Sequence, residues 1–169
     1  MKSIIIASLL LVCHHTFSQT IVEDKVDAFT KKQIKKTSWE TLSNIGRIYS
    51  YTRVEKIDST IWLNLRFITG STIAMREDAK FMLMSDLDSV VSLQNSSFQL
   101  SCTGCGAIGF YGSAAPGIDV SFIVSESKKN TLINYNRIKK IRIYTTDGYI
   151  EADIKEKHSK SLIKQFQLL

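Results

Sequence analysis

Histidine, cysteine and proline are scarce in this chain, at three, three and one among 169 residues. Cys13, His14 and His15 fall in a stretch near the start that reads as a removable leader. Beyond it only His158, Cys102 and Cys105 remain. A Ser-His-Asp triad needs a poised imidazole, and a structural zinc site usually needs four ligands. Two cysteines and one histidine fall short of both, unless a second copy completes a metal set. The expectation is therefore no metal, no cofactor and no catalytic constellation. Long apolar runs are also lacking. Residues 4–12 form one such run, shorter than the roughly 20 residues that span a bilayer. No transmembrane span is expected after it, and no linker, repeat or low-complexity tract appears.

The leader itself is informative. Lys2 supplies a short positive start, the apolar run follows, and Thr16 and Ser18 place small residues at −3 and −1 before Gln19. That is the pattern of a secretory signal peptide, cleaved after residue 18. Acylation of Cys13 as a lipoprotein anchor fits less well, because the β-branched Val12 stands where a small residue is usual. Residues 19–169 then form a single domain of common size, secreted or periplasmic. Losing Lys2 lowers the formal net charge from +6 to +5. The basic residues are spread along the chain, which fits a solvated surface or attraction to an anionic lipid or polysaccharide. No nucleic-acid motif accompanies them.

Most of the chain alternates apolar and polar residues with a period of two, the mark of half-buried strands. Asp58-Ser59 turns a hairpin that pairs Val54 with Leu63, Thr52 with Leu65 and Ser50 with Phe67. Its other face carries Glu55 with Trp62, Arg53 with Asn64 and Tyr51 with Arg66. Tyr49, Tyr51 and Trp62 on that face are either a half-covered packing surface or a ligand platform of the sugar-stacking kind. Asp147-Gly148 is a strong hairpin signal. Taken as the turn, it pairs Thr145 with Ile150, Ile143 with Ala152 and Arg142 with Asp153. Residues 80–93 form a third hairpin, broken near 86–89. Residues 32–42, 71–75, 98–102 and 118–124 supply further strands. Ser125 caps a short helix over 126–135. The tail from Lys155 sets Leu162, Ile163, Phe166 and Leu169 on one stripe, an amphipathic helix laid on a sheet. The expected fold is mainly β, an antiparallel curled sheet or sandwich of sequential hairpins with two helices.

Residues 100–117 break this regularity. They hold Cys102, Cys105, the one proline, Pro116, and five of the eight glycines. A Cys-x-x-Cys turn brings its Cα atoms within disulfide range, and export favours oxidation. So small a ring stabilises by only about 2 kcal/mol. Thiol–disulfide exchange with Cys102 as nucleophile is the enzymatic rival. It wants a helix start after the second cysteine to lower the thiol pKa, and Gly106, Gly109 and Gly112 make a poor one. Gly104-x-Gly106-x-x-Gly109 matches a dinucleotide fingerprint only by accident, because no helix follows to meet a pyrophosphate. On the favoured reading the loop is a fastened turn that presents Ile108, Phe110 and Tyr111 to the core or to a partner.

Ser101-Cys-Thr-Gly-Cys-Gly-Ala-Ile-Gly, Lys140-Ile-Arg-Ile-Tyr-Thr-Thr-Asp-Gly-Tyr-Ile and Thr37-Ser38-Trp39-Glu40 together resemble a group of small exported proteins of Bacteroidota that have no assigned function. The resemblance implies a periplasmic or secreted domain and carries no catalytic residues across. The expected role is non-enzymatic, structural or partner-binding in the cell envelope.

Overall fold

A computed structural model describes residues 20–45, 48–106 and 114–169. It is an antiparallel β structure of a seven-stranded, a four-stranded and a two-stranded sheet, none closed into a barrel, with two helices. The strands are β1 (Ile21–Val26), β2 (Gln33–Thr37), β3 (Glu40–Ile45), β4 (Ile48–Ile57), β5 (Thr60–Ile68), β6 (Ala74–Met75), β7 (Lys80–Ser85), β8 (Val90–Gln94), β9 (Gln99–Leu100), β10 (Cys102–Thr103), β11 (Pro116–Val124), β12 (Ile138–Thr145) and β13 (Gly148–Asp153). The helices are α1 (Glu126–Ile133) and α2 (Glu156–Gln167).

The large sheet runs β1-β2-β4-β5-β11-β10, with β3 also paired to β4. The smaller runs β13-β12-β7-β8. Alternation builds the core between them. Val54, Leu63, Leu65, Phe67, Val120 and Phe122 of the large sheet are buried, as are Phe81, Leu83, Leu93, Ile141 and Ile143 of the smaller. The Phe81 and Phe122 rings lie 5.3 Å apart, centroid to centroid. Each such side chain removed from water contributes about 1.5–3 kcal/mol.

The β4–β5 hairpin has the expected register throughout, from Ser50 opposite Phe67 to Glu55 opposite Trp62. Its turn places Asp58 at φ +52°. The β12–β13 hairpin corrects its expectation. Thr146-Asp147 is the turn, Gly148 takes φ +123°, and every pair slides by two residues. Ile143 thus faces Ile150, and Arg142 faces Glu151 instead of Asp153. A two-residue slide keeps each side chain on its face, so the apolar side survives.

Residues 32–42 are not one strand. They break at Ser38-Trp39 into β2, which pairs with the second half of β4, and β3, which pairs with its first half. A bulge at Leu42 follows, so that adjacent Leu42 and Ser43 are both buried. β1 was not foreseen. Its residues are mostly exposed, so it lacks a strong alternation.

Ser125 caps α1 by accepting from the Lys128 N–H. Helix α2 lays Leu162, Ile163 and Phe166 on the core and keeps Lys157, Lys160 and Lys164 outside. It also docks through a polar seam. The Gln165 amide donates to the carbonyls of Ser38 (2.8 Å) and Thr52 (2.9 Å) and accepts from the Thr52 hydroxyl. The Ser159 hydroxyl accepts from the Ile138 N–H at 2.7 Å, tying the helix to the second sheet.

Candidate functional site

Two sequence features lead to two places in the fold, and the structure adds a third. Cys102 and Cys105 pair as a disulfide, with Cα atoms 5.2 Å apart. The Cys105 N–H bonds to the Cys102 carbonyl, and Gly104 sits at φ +79°, the requirement of a type II turn at its third position. Gly117 on β11 lies against this turn. A Cβ there would fall 1.7 Å from the Cys105 carbonyl oxygen, so only glycine admits the close approach. The continuation through Ile108, Phe110 and Tyr111 lies outside the described residues, as does Cys13.

Tyr49, Tyr51 and Trp62 do share the outer face of the large sheet, all half-buried. The surroundings are more built than the sequence showed. At the β2–β3 break Trp39 folds back over this face. Its ring lies 4.7 Å from the Arg53 guanidinium and 4.2 Å from that of Arg66. Beneath it the polar groups pair with one another. Arg66 donates to Asp119 at 2.9 Å, Asn64 to Glu55, and Ser121 to Asn64, while Lys36 bridges Glu23 and Glu55. Lys25 and Lys36 hold the Glu23 carboxyl below its ordinary range. The charges of this face are largely paired with one another, and the Arg53 Nε is the one buried side-chain donor on it without a hydrogen-bond partner among the described residues. Trp39 drew no notice as a site residue, because a strand running unbroken through it would leave it as one more alternating side chain.

The outer face of the smaller sheet is arranged differently. Register places Met82 between Ser92 and Arg142, and Arg142 between Met82 and Glu151. Arg142 donates to Glu151 through Nε at 2.7 Å and also through its Nη2. Its guanidinium lies 4.4 Å from the Tyr149 ring centroid and 3.3 Å, through Nη1, from the Tyr144 hydroxyl. Arg142 and Lys140 keep the Glu151 carboxyl below its ordinary range, so it stays ionised in mild acid. Beside this pair opens a groove of about 540 Å³, lined by Arg76, Asp78, Lys80, Met82, Tyr144 and Thr146 among others. Neither Arg76 nor Lys80 has an ion-pair partner among the described residues. Nothing matches. Comparison with protein-family models, with curated proteins and with solved structures finds no similar protein.

The groove therefore has to be read from its own chemistry. It offers Arg76 and Lys80 beside a single carboxylate, Asp78, the Met82 thioether, an exposed tyrosine at its flank, and the hydroxyls of Tyr144, Thr145 and Thr146, each already holding one hydrogen bond within the protein. Such a set holds a carboxylate or sulfate by charge and an apolar ring face by stacking. Among the described residues, no three His, Cys, Asp or Glu side chains stand close enough to share a metal ion. No helix there is long and apolar enough to cross a membrane. His158 is half-buried at the start of α2. Burial, then Lys157 and Lys155, push its pKa below the ordinary imidazole value.

Proposed function

We propose that this protein is an exported, non-enzymatic binding domain of the cell envelope, and that the groove beside Tyr144 and Tyr149 takes an acidic polysaccharide. The observation that carries this reading is the pair Arg76 and Lys80, unpaired cations that line one groove next to tyrosine side chains. A uronate or sulfated sugar presents the complementary surface, a charged group on the edge of a ring with an apolar C–H face. The outer face of the large sheet supports the reading less, since its charges are already paired. The disulfide serves as a fastening.

The test is retention on a uronate polymer matrix at low salt, eluted by rising salt. Binding through two or three cations weakens steeply as ionic strength rises, because the Debye length falls to about 8 Å at physiological salt. The double variant Arg76→Ala/Lys80→Ala is expected to elute early and Tyr149→Ala to weaken retention. Lys157→Ala/Lys164→Ala on the far helix should leave it unchanged. Equal loss in the two double variants would reduce the effect to net charge and overturn the assignment.

A further inference from the structure

A second cavity, of about 240 Å³, lies where the bulged strand β3, the start of β12, the end of β13 and the start of α2 converge. Ser43, Asn44, Arg137, Asp153, Lys155 and His158 line it. Three independent features of this wall concern unspent hydrogen-bond donors. Ser43 is only 3% exposed, and its Oγ has no hydrogen-bond partner among the described residues. The Arg137 Nε is likewise buried and unpartnered, although the guanidinium is fixed by its Nη2 donating to the Ile154 carbonyl at 3.3 Å. Helix α2 begins here, with Lys155 at its N-cap and no side chain capping its first turn. Free N–H groups at a helix start carry partial positive charge.

A purely structural account explains these donors poorly. Leu42 and Ser43 are adjacent and both buried because the bulge turns them inward. Bulges of this kind re-aim a side chain, often beside a functional site. An alanine at 43 would fill the position without an unmatched hydroxyl, so the serine lowers stability where it stands. The carboxylate of Asp153, which lines the same wall, is 83% exposed and turned to Lys140 at 4.0 Å. The local charge is then Arg137 and Lys155, with the exposed Glu156 carboxylate of the first turn near enough to act on Arg137 but paired to Lys160 at 2.5 Å. Glu40 and Lys157 act on His158 from outside the lining.

We propose that this cavity is a binding site for a small oxyanion, a carboxylate or a phosphate monoester. Arg137 supplies a charged fork, the α2 N-terminus supplies backbone N–H groups, and Ser43 supplies a hydroxyl. A guanidinium beside a helix start is a recurrent way to hold such groups. The site is separate from the groove beside Tyr149 and stands or falls without it.

The experiment is an NMR titration of ¹⁵N-labelled protein with inorganic phosphate and, separately, with acetate. The Arg137 Nε–H and the Glu156 and Lys157 amides are expected to shift saturably with at least one of the two. The arm that saturates names the anion class. Arg137→Gln should weaken binding about tenfold, the loss of one charge-assisted hydrogen bond. Ser43→Ala should raise the melting temperature and yet weaken binding about threefold or more. Arg76→Ala, in the other groove, should leave the titration unchanged. No saturable shift with either anion overturns the proposal. So does a Ser43→Ala variant that gains stability and keeps full affinity.

Discussion

Gly117 shows how one hydrogen atom in place of a methyl group sets the geometry of a neighbouring segment. The Cys105 carbonyl is rigid backbone, held by the disulfide and by the turn, and cannot yield to a side chain at 117. Gly117→Ala is expected to cost about 3 kcal/mol or more and to slow formation of the 102–105 bridge. Urea unfolding and thiol counting under oxidising refolding measure both. Trp39 is the opposite case, a large side chain whose worth lies in what it covers. Trp39→Ala uncovers Arg53 and Arg66 together, and a loss of about 2 kcal/mol follows from packing and cation–π terms. A Trp39→Phe variant should recover most of it.

At the level of elements, legibility in the sequence follows the strength of local punctuation. Asp58-Ser59 is flanked by long, clean alternation on both sides, and the whole β4–β5 register follows from it. Asp147-Gly148 is the stronger dipeptide in isolation. Here the glycine serves as the first residue of β13, with Thr146-Asp147 as the turn, and the pairing moved by two. The stripe of α2 and the Ser125 cap were legible because a helix announces itself by spacing alone. What stayed hidden depends on contacts distant in sequence. The break at Ser38-Trp39 is held by Gln165 bonding to the Ser38 carbonyl, and no local signal contains it. The Leu42 bulge is invisible to a period-two template, which expects one of two adjacent residues to face out. The groove by Tyr149 and the cavity by Ser43 are both assembled from several elements. No single segment shows that Arg76 and Lys80 lack carboxylate partners.

Across the whole molecule, acid should weaken the fold in two stages. His158 has a pKa held below its ordinary 6.5 in the folded chain. The unfolded chain therefore binds the proton more readily, and the stability this contributes, complete above 6.5, is lost as pH falls through the lower folded value. The carboxyls of Glu23, Glu151 and Glu156 are held below their ordinary 4.5 by lysine and arginine partners. Their contribution is complete above 4.5 and fades below it. Urea midpoints followed from neutral pH downward should show a shallow decline first and a steeper one later. His158→Gln is expected to flatten the first stage and Glu151→Gln to soften the second.

The seam formed by Gln165 joins residues 113 and 127 positions apart along the chain. A helix made after β3 and β4 thus fastens them across a long stretch of chain, a closure that carries a large loop entropy. During synthesis β3 and β4 are without this clasp until α2 has emerged. Chains ending before Lys155 are expected to leave the β3–β4 amides open to hydrogen exchange, whereas the full chain closes them.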